Sequence, residues 1–341
     1  MDDGNKILAN SKHKIRLLWI LFFALLSLGA VCFSIVSGTV HFSLVDIVTV
    51  FTGANQDQLA QQIVANVRLP RTLVAMLVGI NMGIAGALLQ GLLRNPLASP
   101  KIIGVNSGAG LGAVIIMTLM PGQIAMIPPA AFLGALLASL LIYAISLREG
   151  SSSTISIILA GVALGALFSA FTSALMILHS DDLGITYSWL IGGLTGRGWP
   201  YYQLIWPYSL IGILGAVYLS PRINLFLLGE EVGQNLGLSI EFSRILIIIT
   251  SAILAGSAVS VAGTIGFIGI IAPHAARLLI GNDYRYLVVF SGILGALLLL
   301  VADIFARTLF LPLEIPVGII TAALGAPFFL FILYQKQSKT S

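Results

Sequence analysis

Residues 245–276 read ILIIITSAILAGSAVSVAGTIGFIGIIAPHAA, 32 consecutive positions without a charged side chain. One helix of that length would be about 48 Å long. The hydrocarbon core of a bilayer is about 30 Å thick and takes about 20 residues. The run is too long for one span and short for two, and Gly263, Gly266 and Gly269 mark a turn zone inside it. Divided near Gly263, it predicts two helices that cross a membrane in opposite directions.

The rest of the chain reads in the same way. Of its 341 residues, 58% are hydrophobic and only 9% charged, too little charge to cover the surface of a water-soluble domain. Leu17–Val36 offers 20 residues without a charge. Lys12, Lys14 and Arg16 precede it as in a signal peptide, but the run exceeds a typical h-region and reads as a retained span. Further apolar runs follow at Thr72–Leu93, Ile102–Met120, Ile124–Leu147, Ile155–Leu178 and Tyr201–Leu219. Tyr286–Ala302 and Ile315–Tyr334 complete a set of about ten. The expected fold class is therefore an all-α integral membrane protein. Residues 1–16 form an N-terminal segment, 17–335 one transmembrane domain with a polar loop at about 222–243, and 336–341 a tail.

An even number of spans places both termini on one side, and basic residues choose the side. With the termini inside, 13 of the 17 lysines and arginines are cytoplasmic. Only Arg68, Arg71, Arg197 and Arg307 fall outside. The segment GEEVGQNLG at 229–237 then lies in the cytoplasm between the sixth and seventh spans. Read alone, it is either a solvated loop whose acids keep it out of the bilayer or a contact for a partner. Glycines four apart, at Gly79/Gly83, Gly104/Gly108/Gly112 and Gly161/Gly165, predict close helix packing. Arg71, Pro96 and Gly104 around one helix echo Arg244, Pro273 and Gly281 around another, as in an inverted repeat.

Several chemistries are missing. None of the six lysines follows a glycine, so no P-loop exists. His13, His41, His179 and His274 lack metal-ligand spacing, and Cys32 is the single cysteine, so no metal site is expected. No nucleophile elbow points to an enzyme. Asp303 is the exceptional intramembrane carboxylate, already four residues from Arg307. An ion-coupled carrier is therefore the weaker reading, and energy for transport should come from another subunit.

Motifs in order then carry a resemblance. They include Arg-Leu-Pro-Arg at 68–71, Arg-Asn-Pro-Leu-Ala-Ser-Pro at 94–100 and Gly-Val-Asn-Ser-Gly-Ala-Gly at 104–110. Leu-Ala-Gly-Val-Ala-Leu-Gly at 159–165, Gly-Glu-Glu at 229–231, Leu-Gly at 236–237 and Gly-Phe-Ile-Gly at 266–269 follow. Ala-Pro-His at 272–274, Ala-Asp at 302–303, Pro-Val-Gly at 316–318 and Gly-Ala-Pro-Phe-Phe at 325–329 close the series. The chain resembles the FecCD family of ABC importer permeases, which carry iron(III)-siderophores, haem or cobalamin.

The resemblance implies the type II importer fold with its inverted repeat, and no enzymatic activity of this subunit. It implies a second permease subunit, identical or paralogous, two cytoplasmic ABC ATPase subunits and an extracytoplasmic binding protein, with no nucleic acid. ATP and magnesium would bind the ATPase and no cofactor this chain. It implies ATPase coupling by Gly229, Glu230, Glu231, Leu236 and Gly237, with Leu236 and Leu238 as apolar plugs. It implies binding-protein docking by Arg68, Arg71 and Arg307, whose plainer reading is snorkelling at the interface. Asn95, Leu97 and Thr154 would narrow the cytoplasmic mouth, although Asn95-Pro96 also reads as a helix stop. Ala272-Pro273-His274 reads as a helix break. Iron(III)-siderophore import across the cell membrane is the expected function, with haem or cobalamin the alternative cargo.

Overall fold

The computed structural model describes residues 2–38, 40, 43–52, 58–148, 151–179 and 183–337. Its helices are α1 (Asp2–Val36), α2 (Leu44–Phe51), α3 (Gln58–Gln61), α4 (Leu69–Leu92), α5 (Val105–Leu119), α6 (Ile127–Ser146) and α7 (Thr154–Leu178). Then come α8 (Leu183–Ile191), α9 (Trp199–Leu227), α10 (Glu230–Asn235), α11 (Ile240–Ala262), α12 (Ile268–Ile280), α13 (Tyr284–Thr308) and α14 (Val317–Gln337). A π-helical turn, Gln62–Arg68, joins α3 to α4, and a two-residue hairpin pairs Leu147–Arg148 with Ser151–Ser152. Among the described residues, seven helical stretches are long and apolar enough to cross a membrane, and three shorter apolar helices at 105–119, 268–280 and 317–330 accompany them. Together they coincide with the runs read from hydropathy.

The divided run at 245–276 breaks where its glycines predict. α11 ends at Ala262 and Gly263 follows at φ 72°, a conformation that glycine adopts without a Cβ penalty. The expected second break, at Ala272-Pro273-His274, is corrected: α12 continues through Pro273. Proline deprives the Gly269 carbonyl of its helical donor, and the Gln90 side chain reaches that oxygen from α4, Nε2 to O 3.4 Å. Ser220 does the same before Pro221, its hydroxyl donating to Val217 O at 2.8 Å, and α9 runs on to Leu227, two turns past the expected end.

Two helices form the centre. In α4, 19 of 24 residues are buried, and in α11, 17 of 23, so both are enclosed by protein rather than lipid. They pack on each other, and α9 covers both. Several other contacts come in mirrored pairs: α4 with α13 and α11 with α6, α5 with α6 and α12 with α13, α6 with α7 and α13 with α14. These contacts map onto one another when α4–α7 exchange with α11–α14, as in an inverted repeat. Glycine permits close crossings. A methyl group at Gly79 would stand 2.3 Å from Gly295 O, and one at Gly83 2.2 Å from Ser291 O, so α4 and α13 touch backbone to backbone. Where α4, α9 and α11 meet, Asn81 Nδ2 donates to Ser209 Oγ (2.8 Å) and Ser257 Oγ (3.1 Å), a buried polar clasp inside the bundle.

Candidate functional site

Charged side chains gather at the two ends of the bundle. At the end assigned to the cytoplasm, α10 holds the 229–237 segment. Gly229 (φ 105°) and Gly237 (φ 85°) bracket it, and a Cβ at either would meet nothing, so backbone angle and not space selects glycine there. Leu238 N–H returns to Gly233 O at 2.9 Å and closes the turn. Glu230 accepts from Arg244 at 2.9 Å and lies 3.7 Å from Arg94. Arg244, itself buried, also pairs with Glu241, which accepts from Tyr143 Oη at 3.0 Å. Glu231 is exposed, as are Val232 (47%) and Leu236 (59%), so α10 presents one carboxylate and two apolar side chains outward. Leu238 corrects the expected pair of plugs: it is 7% exposed and belongs to the core.

The three expected gate residues occupy the same end. Asn95 Oδ1 accepts from Leu97 N–H at 2.9 Å, which ties the turn after α4. Leu97 is 39% exposed. Thr154 opens α7 and is half-buried, and Ser153 beside it caps the helix by accepting from Ser156 N–H at 3.0 Å.

The opposite end, assigned to the outside, differs. Asp303 is fully buried between Arg71, Nη2 to Oδ1 2.9 Å, and Arg307, Nε to Oδ2 3.1 Å. Arg71 also donates to Glu314 at 2.8 Å, and Thr195 Oγ1 donates to the same oxygen at 2.8 Å. Arg307 reaches Ser34 Oγ (2.8 Å), and Arg68 donates to the carbonyls of Ile35, Val36 and Val40 where α1 ends. These three arginines are thus enclosed by the protein and do not stand free at its surface. Arg68, Arg71 and Arg307 are 5%, 7% and 4% exposed, because their charges meet carboxylates and carbonyls of their own chain. Burial alone would raise the pKa of Glu314, but Arg71 and the hydrogen bonds from Arg71 and Thr195 outweigh it and hold the carboxyl below its ordinary value. Arg197 lies over the Tyr201 ring at 4.4 Å.

A third cluster went unread in the sequence. Arg277 donates to Gln90 Oε1 (3.1 and 3.2 Å) and Tyr284 Oη (3.1 Å). Asn224 links α9 to the α13 cap, accepting from Tyr284 N–H and donating to Asp283, both at 2.9 Å. Hydrogen bonds from Arg285 and then Asn224 outweigh burial and hold Asp283 at about 2. Only the Asn-Asp-Tyr turn before α13 signalled a helix cap here.

This bundle, with its mirrored halves and its exposed α10, has counterparts. The model of the FecCD transport family matches residues 24–335. The chain belongs to the FecCD transport family. Among FecCD relatives, the Fe(3+)-citrate import system permease protein YfmE of Bacillus subtilis (strain 168) is 39% identical over 329 residues, covering 96% of this chain and 98% of the relative. The cobalamin import system permease protein BtuC of Halobacterium salinarum is 40% identical over 280 residues, 82% of this chain and 75% of the relative. A solved inward-facing structure of a metal-chelate type ABC transporter superimposes with a TM-score of 0.84 at 30% identity, covering 93% of this chain and 98% of that one. The FecCD chain is thus a multi-pass membrane permease of the ABC importer type.

Proposed function

We propose that the chain is the transmembrane subunit of a binding-protein-dependent ABC importer that moves iron(III)-siderophore complexes across the cell membrane. The observation that carries this reading is the near full-length match to a permease named for Fe(3+)-citrate import. Two cytoplasmic ATPase subunits would bind ATP and magnesium and seat α10 in a surface cleft. Glu231, Val232 and Leu236 supply the charge and the apolar contact for that seat, while Glu230 is held by Arg244 and positions the helix. A second permease copy or paralogue would complete the pathway, with Asn95, Leu97 and Thr154 narrowing its cytoplasmic mouth. An extracytoplasmic binding protein would dock at the end that carries Arg68, Arg71 and Arg307, with both termini of the chain on the opposite, cytoplasmic side. Acidic groups on that protein would compete with Asp303 and Glu314 for these arginines.

Reconstitution tests the whole reading. Proteoliposomes holding the chain, its ATPase and its binding protein should accumulate labelled iron(III) chelates only when ATP is supplied. Uptake of haem or cobalamin in place of iron chelates would move the assignment to that cargo. Accumulation driven by an ion gradient without the ATPase would make the chain a secondary carrier.

A further inference from the structure

The link between α11 and α12 ends on Phe267, which holds φ 66° and ψ −31°. The N–H of Ile268 donates to Gly266 O at 2.9 Å, which makes Phe267 the centre of a γ-turn with positive φ. That conformation is rare and strained. Arg94 is the other non-glycine residue at positive φ among the described residues. Glycines stand at 263, 266 and 269, yet the strained position itself carries a large ring. Strain of this kind persists where surrounding structure imposes it and gathers where elements switch.

The neighbour of the ring accounts for its presence. A methyl group at Gly325 of α14 would stand 2.4 Å from both Cβ and Cγ of Phe267, so the α14 backbone lies directly on the ring. Close by, His274 of α12 meets Phe328 of α14 edge to face, centroids 6.3 Å apart. The outer end of α14 is pinned: Gly318 N–H donates to Gly192 O at 3.0 Å, and a methyl at Gly318 would stand 1.9 Å from Ile191 O. Pro327 then sits inside the helix two residues past Gly325, and its missing N–H leaves the Ala323 carbonyl without its helical donor, which loosens the turn that carries Gly325. The helix is therefore fixed at its start and both seated and jointed at its middle.

We propose that Phe267 is a positioning residue for transport: its strained turn is the seat on which α14 pivots at Gly325, with Pro327 as the joint. The ring thereby sets where the cytoplasmic half of α14 stands in each state of the cycle. The transport consequence rests on the importer reading, whereas the placement of α14 does not.

The full transporter complex in proteoliposomes, with Cys32→Ser as background, provides the test. Spin labels at Leu278→Cys and Tyr334→Cys report the distance from the end of α12 to the end of α14, with and without ADP-vanadate. The native distance should differ between the two states, and Phe267→Ala should broaden it and erase the difference while Phe267→Tyr retains it. Gly325→Ala should lower uptake of iron(III) citrate about tenfold or more, and Phe267→Gly combined with Gly325→Ala should recover to within about threefold of Phe267→Gly alone, because removing both the Cβ and the ring makes room for the methyl. Additive losses in the double variant, or a native distance change and native uptake per ATP in Phe267→Ala, overturn the proposal. If Gly325→Ala fails to insert, the Phe267→Ala and Phe267→Tyr distances decide. Absence of ATP-driven uptake by the native protein rejects the importer reading and leaves the distance measurement to judge the seat.

Discussion

At the end proposed to face outward Asp303 is fully buried between two guanidinium groups, each less than a tenth exposed, whereas at the end proposed to face the cytoplasm Glu230 and Glu241 are 41% and 33% exposed around the buried Arg244. Both clusters mix arginine with carboxylate, yet solvent treats them differently. A buried pair cannot recruit water when one member is lost, so its remaining charge bears the full desolvation cost. A half-exposed carboxylate can rehydrate. The outer cluster therefore fastens α1, α4, α13 and the segment before α14, while the inner one orients a helix whose outward residues stay free of it.

The largest expected effect follows from the enclosed side. Asp303→Asn leaves Arg71 and Arg307 facing a neutral amide and should cost about 3–5 kcal/mol of stability, read as a fall in the unfolding midpoint of the detergent-solubilised protein. A loss below about 1 kcal/mol would mean that water reaches this cluster as it reaches the other. Arg244→Met should cost less, about 1.5–3 kcal/mol, since Glu230 and Glu241 can turn to solvent. If Arg244→Met matched Asp303→Asn in the same assay, the contrast in burial would not govern stability.

The same contrast shows what sequence could disclose. Hydropathy located the long helices because a bilayer demands uninterrupted apolar length, and glycine located the α11–α12 break because the backbone needs φ 72° at Gly263. Helix ends were less legible. A span drawn from Thr72 stops at the arginines, but the helical stretch runs from Gln58 because Arg68 and Arg71 find partners within the protein. Those partners could not be read: Asp303 and Glu314 lie 232 and 243 residues from Arg71, beyond any spacing rule. Glu230 and Arg244, 14 residues apart, were within reach of a local pattern only after α10 had been given its turns. Leu236 and Leu238 looked equivalent in sequence, and the turn through Gly237 sent one to solvent and the other to the core.

The outward face of α10 supplies the next test. Leu236→Asp or Glu231→Lys should change stability by no more than about 0.5 kcal/mol, as for exposed positions without partners. ATP-driven uptake should nevertheless fall with membrane level unchanged. Normal uptake in both variants would remove α10 from the proposed ATPase contact, and a large stability loss would show that this face is packed after all.

Acid should act on the two ends with staggered onsets, with the smallest effect of all under ordinary conditions. Glu314 and Asp283 both have folded pKa values below their ordinary ones, so each contributes stability that is fully present above its unfolded value. That contribution is lost as pH falls through the folded value. For Asp283 the window runs from 3.8 down to about 2, and for Glu314 it begins at 4.5 and extends downward. Between pH 7 and 5 neither group changes protonation, and stability should be flat with respect to both. Proteoliposomes of known orientation allow the two sides to be acidified separately. Acid on the outer side should weaken the protein first, through the Arg71–Glu314 contact, and Glu314→Gln should abolish that early loss. Acid on the cytoplasmic side should act only at lower pH, and Asp283→Asn should flatten that limb. If Glu314→Gln left the outer acid response unchanged, the ion pair with Arg71 would not be what couples this end of the bundle to pH.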